Sequence, residues 1–335
     1  MQNIGKLISN AGFAKKKLNI LSNKITGKTF KPTGGDVMPN IWCHILLGNE
    51  FVRNLPDDVK KDIYSGPCHS VFKFGALGPD FFLFDNWKHA YAGSRHEVSS
   101  YLHRNRCKDA LMYSVNQVKK DKDNGQPWWT QAIYTLGTVS HFIVDASIHP
   151  MVYKIVPKSI AYRNYHIKLE VEMDVYMAES LGIGAERIIA NPAASVIMPQ
   201  NARHEICQYY YDLVNDFYKG ELKPITAEQI LRSIKSYLAA FEFLRTQESM
   251  YNLSRALACG SLGKIRLDWF WHPDQVSEDV KKHLEDHGFW EICHNAMDIG
   301  EKVLPMIWQY WHGEESLAAI REMLPKTNYL GDYEP

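Results

Sequence analysis

Five side chains that can hold a cation fall at regular spacing between Gly137 and Glu170. His141 and Asp145 are four residues apart, so on a helix they stack on one face. His149 lies one turn further along that face, directly before Pro150. His166 and Glu170 repeat the spacing after a connection of sixteen residues. Two antiparallel helices so joined can point all five groups at one another. Imidazole nitrogen and carboxylate oxygen, at about 2.0–2.2 Å, are zinc's ordinary non-thiolate ligands. One His on an apolar helix is more often a hydrogen-bonded core residue than a ligand. Two spaced pairs and a third His change that balance, because carboxylates buried there without a cation are strongly destabilising. A cation removes the penalty, and a carboxylate can bridge two ions. The spacing therefore points to a metal centre with more than one ion.

The elements that must carry these groups read as helical. Pro39 suits a first helical turn, and Ile41, Trp42, Ile45 and Leu46 supply an apolar face. Asp57 caps a next helix through Ile63. Gly75 to Asp80 (GALGPD) reads as a tight loop and Asp121 to Pro127 as a turn. Helical segments are expected near Glu97–Val118, from Trp128 to Ile148 with Pro150 as the stop, and over Tyr165–Leu181. Three more follow at Ala202–Lys219, Ala227–Leu244 and Phe289–Tyr310. Strand-like alternation is scarce. The expectation is one all-α, multi-helix domain over residues 38–335, preceded by a basic amphipathic leader and linker, 1–37.

Composition sets outer bounds. The 335 residues are 45% apolar and 23% charged, which excludes a disordered or collagen-like chain. Thirty-eight Lys and Arg balance thirty-eight Asp and Glu, so no broad basic face for duplex nucleic acid is expected. No apolar run is long enough to cross a bilayer. The six cysteines include no CxxC pair, which favours free thiols in a reducing compartment over a thiolate zinc site; three disulfides remain open. The first thirty residues hold six lysines and no acid, with Ile4, Leu7, Ile8, Leu18 and Leu21 at helix-like spacing. Such a stretch could lie on an anionic membrane surface or stay solvated. It lacks a signal-peptide core, so a cytoplasmic or membrane-associated location is expected.

LGTVSHFIVDASIHP followed by YHIKLE resembles the zinc-dependent phospholipases C of bacteria, which share a fold with the P1-type nucleases. Those read LG-x-x-x-H-x-x-x-D-x-x-x-H-P on one helix and H-x-x-x-E on the next. MPNIWCHILLG resembles their opening helix and FGALGPDFFLF their G-A-x-G-P-D-F-F loop. LDWFWHPD resembles a late segment with an aromatic and a Pro. The resemblance runs from Met38 to about Leu304.

It implies two or three Zn2+ ions. His44 would be a ligand from the first helix, at a third metal position. Asp80 would be a carboxylate ligand and also the catalytic group that orients or deprotonates the attacking water. His141 would bind a metal and Asp145 would bridge two. His149, His166 and Glu170 would hold the remaining ion. The His before the helix that follows the loop could be His103 or His96, with His103 preferred. His69 and His89 are expected to lie at the surface or behind the ligands. In secreted members the α-amino group of a processed N-terminal Trp binds the third zinc. Here thirty-seven residues precede Met38, so the number of metals stays open.

The activity implied is hydrolysis of a phosphodiester, phospholipase C-type, by attack of a metal-activated water. The substrate would be a phospholipid or another phosphate ester. Trp42, Phe81, Phe82, Phe84, Phe142 and Tyr165 could receive acyl chains or a cationic headgroup, or could be packing. Two alternatives stay open: a related metal-dependent enzyme acting on another phosphate ester or a specialised small molecule, and a non-catalytic metal-stabilised binding module. The sequence does not fix the oligomeric state.

Overall fold

Where apolar residues recur with helical period, the chain forms helices that bury them against one central element. The computed structural model describes residues 41–66, 68–85, 95–158, 163–183, 200–245 and 275–334. These residues all belong to one unit, Gly35–Pro335. The leader, Met38, Pro39, His89, Cys259 and the LDWFWHPD segment lie outside the described residues.

In chain order the first helices are α1 (Ile41–Phe51), α2 (Asp57–Ser65), α3 (His69–Gly75) and a 3-10 turn over Gly78–Phe84. Then come α4 (His96–Leu102), α5 (Cys107–Asp123), α6 (Trp129–Ile155) and α7 (Arg163–Ser180). The second half holds α8 (Gln200–Asp212), extended by a π-helical turn Leu213–Phe217, and α9 (Ala227–Arg245). It ends with α10 (Glu278–Asp286), α11 (Phe289–His312) and α12 (Leu317–Met323). No strand occurs among the described residues, only two isolated bridges. The fold is all-α, as expected for the phospholipase C and P1 nuclease type.

α6 is the axis of the molecule. Most of its side chains from Ala132 to Val152 are buried, and α1, α3, α5, α8 and α11 pack around it. A helix apolar on all sides belongs in a core rather than on a surface. α3 crosses α6 closely because glycine stands on both sides. A Cβ at Gly75 would lie 2.4 Å from the Tyr134 carbonyl, and one at Gly137 2.4 Å from the Phe72 carbonyl. The 3-10 turn is tied to α9 by Arg232, whose Nε and Nη2 donate to the two oxygens of buried Asp85 at 3.2 and 3.1 Å.

Two boundaries differ from the sequence reading. Pro150 does not stop α6, which runs on to Ile155. Proline there removes one backbone donor, and the carbonyl it leaves, that of Ala146, lies 3.5 Å from the Thr327 hydroxyl. The expected helix from Glu97 to Val118 is broken at 103–106, with Arg106 in the left-handed region at φ 52°. There the Arg106 guanidinium stacks on Phe217 at 4.2 Å and pairs with Glu221 at 2.7 Å. The aromatics offered as substrate contacts divide in the same way. Phe81, Phe82, Phe84 and Phe142 are buried in the core, Trp42 is half-buried against it, and Tyr165 is exposed.

Candidate metal centre

Five segments deliver the eight predicted side chains to one buried place. α1 brings His44, the 3-10 turn Asp80, and the break after α4 His103. α6 brings His141, Asp145 and His149, and α7 brings His166 and Glu170. Their donor atoms form three groups, each within 4.8 Å: His44, His141 and Asp145; Asp80, His103 and His141; His149, His166 and Glu170. His103, not His96, enters a group. His69 stands apart, its Nδ1 on the Ile63 carbonyl at 2.7 Å.

Asp145 is the hub. Its Oδ1 lies 3.1 Å from His44 Nε2 and 3.7 Å from His149 Nδ1. Its Oδ2 lies 3.4 Å from His141 Nε2 and 3.9 Å from His103 Nε2. Asp80 Oδ1 is 3.1 Å from His103 Nε2, and its Oδ2 4.0 Å from His141 Nε2. Glu170 Oε1 is 2.9 Å from His166 Nε2 and 3.3 Å from His149 Nε2. His166, with 12% of its side chain accessible, is the member nearest to solvent; none of the others exceeds 7%.

The orientation of the imidazoles decides what belongs between these atoms. His141, His103 and His149 place Nδ1 at 3.2, 2.7 and 2.6 Å from the carbonyls of Ala76, Ser99 and Tyr329. A carbonyl only accepts, so Nδ1 carries a proton and donates, and Nε2 is the atom turned to a carboxylate. Two acceptors at 3.1–3.4 Å repel unless a proton or a cation stands between them. Nε2 of His44, His103 and His141, Oδ1 of Asp80, Oδ2 of Asp145 and Oε2 of Glu170 are all buried without a hydrogen-bond partner. Tetrahedral ligands at about 2.1 Å from a zinc ion stand roughly 3.4 Å apart. The donor set and its spacing therefore fit zinc.

Titration follows the same layout. Burial pushes the His141 imidazole well below its usual range, with Asp145 acting against the shift. Burial also acts against the Asp145 carboxylate, but His141, His149 and His44 outweigh it and hold the group well below the carboxylate range. Burial disfavours a proton on His149, yet Asp145 and Glu170 raise it to about 9. Burial raises Asp80 in spite of His103 beside it. Burial opposes a proton on His103, which the Asp80 and Asp145 carboxylates nonetheless raise.

A family model described as zinc dependent phospholipase C matches residues 43–244, about three-fifths of the chain. The chain belongs to the zinc-dependent phospholipase C family. Comparison with curated proteins and with solved structures finds no match. The matched range contains all eight side chains, and the family is one of zinc-dependent phospholipid hydrolases.

Three supporting features escaped the sequence reading. Gly78, at φ 53°, passes so near His141 that a Cβ would lie 2.1 Å from its ring. Asp174 sits one turn beyond Glu170 on α7 and caps α1: its Oδ2 accepts from the amides of Ile41 and Trp42 at 3.1 Å each, and its Oδ1 from Cys43 at 2.8 Å. The continued spacing His166, Glu170, Asp174 was the available signal. Tyr329 had none, because 180 residues separate it from the His149 it contacts.

Proposed function

We propose that this protein hydrolyses a phosphodiester of a phospholipid, releasing the phosphorylated headgroup, at a centre of two or three zinc ions. The observation that carries this reading is the convergence of buried imidazole and carboxylate lone pairs with no partner but one another, in a chain of this family. His44, His141 and Asp145, with Asp80 and His103, would hold one part of the centre, and His149, His166 and Glu170 the other. When bound, zinc supplies Lewis acidity toward phosphate oxygens and a water acidified toward neutrality.

The chain's own residues do the rest. Asp145, with Oδ1 beside His44 and Oδ2 beside His141, would be a ligand from the middle of the centre. The carbonyls of Ala76, Ser99 and Tyr329 hold three imidazoles by Nδ1, so that Nε2 would be the atom that binds. Asp80 Oδ1 has no hydrogen-bond partner, and burial raises its pKa. A buried carboxylate with a raised pKa would be a better base for the attacking water than an ordinary one. The apolar packing around α6 keeps other water away, so the edge at His166, the member nearest to solvent, would be the side for substrate entry.

The test is elemental analysis joined to a substrate panel. Two or three zinc per chain, with hydrolysis of a chromogenic phosphocholine ester, supports the reading. Zinc with turnover of other phosphate esters only would move it to a different substrate. Full zinc with no turnover on a broad panel would leave a binding module. Residues 1–37, with their lysines, are the part of the chain suited to an anionic lipid surface. Equal liposome flotation with and without them would remove that role.

A further inference from the structure

We propose that residues 326–334, a C-terminal strap outside the family match, complete the metal centre, with Tyr329 as the positioning residue for His149. The inference rests on the metal-centre reading and extends it to a segment far away in the chain.

Two anchors hold the strap on α6, and both exist because of Pro150. Proline has no amide proton, so the Ala146 carbonyl lacks its usual helical donor. The Thr327 hydroxyl lies 3.5 Å from that oxygen. The proline ring is the seat for Gly331. At φ 73° this glycine lies so close that a Cβ would come within 2.6 Å of Pro150 Cγ. Between the anchors the chain turns on buried Asn328, whose Oδ1 accepts from the amides of Leu330 and Asp332 at 2.9 Å each. The ends are closed as well. The Glu334 amide donates to the Lys326 carbonyl at 3.0 Å, Glu334 Oε1 accepts from the Cys107 amide at 2.7 Å, and Asp332 pairs with Lys158.

What this turn delivers is Tyr329. Its carbonyl lies 2.6 Å from His149 Nδ1, so it fixes the ring with Nε2 toward Glu170. Its buried ring packs 4.8 Å from His103 and 5.4 Å from His141, between centroids. One residue thus orients a ligand of one group and covers ligands of another. Hydrogen-bond partners of metal-binding histidines commonly contribute 10–100-fold, roughly, to metal affinity.

Three variants of the 335-residue chain test this: Gly331→Ala, which pushes the strap off Pro150; deletion of residues 326–335; and Tyr329→Phe, which keeps ring and carbonyl. Zinc affinity is read by competition with a chromogenic chelator, and helicity by circular dichroism. The first two should hold one zinc roughly 10–100-fold more weakly with helicity retained, while Tyr329→Phe binds like the parent. Parental affinity in both strap variants overturns the proposal. So does loss of helicity together with all zinc in both, which marks the strap as mere scaffold. A parent protein that takes up no zinc would fail the metal-centre reading itself, and is distinguishable on that ground.

Discussion

Four imidazoles lie within 3.1–3.9 Å of the Asp145 carboxylate, and among the described residues none touches more of the centre. Asp145→Asn keeps the volume, removes the charge and turns one acceptor into a donor. We expect it to weaken zinc binding by more than ~100-fold, beyond what loss of a ligand's hydrogen-bond partner costs, and to abolish turnover. Parental zinc content in that variant would remove Asp145 from the ligand set. His149 gives a prediction in pH. Raised to about 9 without metal, it carries a proton at neutrality that a cation must displace. Zinc uptake at pH 7.5 should therefore release protons, and affinity should strengthen as pH rises toward about 9. Calorimetry in two buffers of different ionisation enthalpy measures the release; identical heats would contradict it. For the metal-free chain the sign is opposite. A raised histidine stabilises fully below its unfolded pKa, and that stability fades as pH climbs through the folded value.

At the scale of elements, one side chain of α7, Asp174, ties it to the start of α1. Asp174 satisfies three amides of the first turn of α1, where a carboxylate also meets the positive end of the helix. Asp174→Ala should cost on the order of 3 kcal/mol in chemical denaturation, because it leaves buried donors unsatisfied. A change below about 0.5 kcal/mol, the range of ordinary surface substitutions, would refute the cap. Local pattern made the helices of this fold legible. Helical period exposed α6 and α7, and four-residue spacing exposed all five of the side chains they bring to the centre. Features that depend on remote partners were illegible. Pro150 reads as a stop because nothing nearby shows that Thr327 can take up the carbonyl it frees. The break at His103 is invisible because the contacts of Arg106 with Phe217 and Glu221 are more than a hundred residues away. His44, Asp80 and His103 have no spacing relation to α6, and only the family resemblance singled them out.

Across the described residues, apolar side chains from every segment merge around α6, and the centre lies inside that core, not on it. The thiols share its dryness. Cys43, Cys68, Cys107, Cys207 and Cys293 are free and buried, and burial pushes all five up, Cys68 to about 12 and Cys207 to about 11. None of the five should be alkylated in the native protein at pH 8; modification of any of them, mapped by mass spectrometry, would contradict this burial. No helix among the described residues is long and apolar enough to cross a membrane. Because the eight candidate donors come from five separate segments, cations bound in the three groups would together crosslink α1, the end of α4, α6, α7 and the 3-10 turn. The unfolded chain offers no such site, so binding energy becomes folding energy. At free zinc about a thousandfold above the dissociation constant, linkage gives about 4 kcal/mol. For a domain of this size that is on the order of 10 °C in Tm. Melting with zinc and after chelation should differ by that amount, and the gap should close in Asp145→Asn. Equal Tm in both states would mean that the imidazoles and carboxylates of this core hold each other through protons alone.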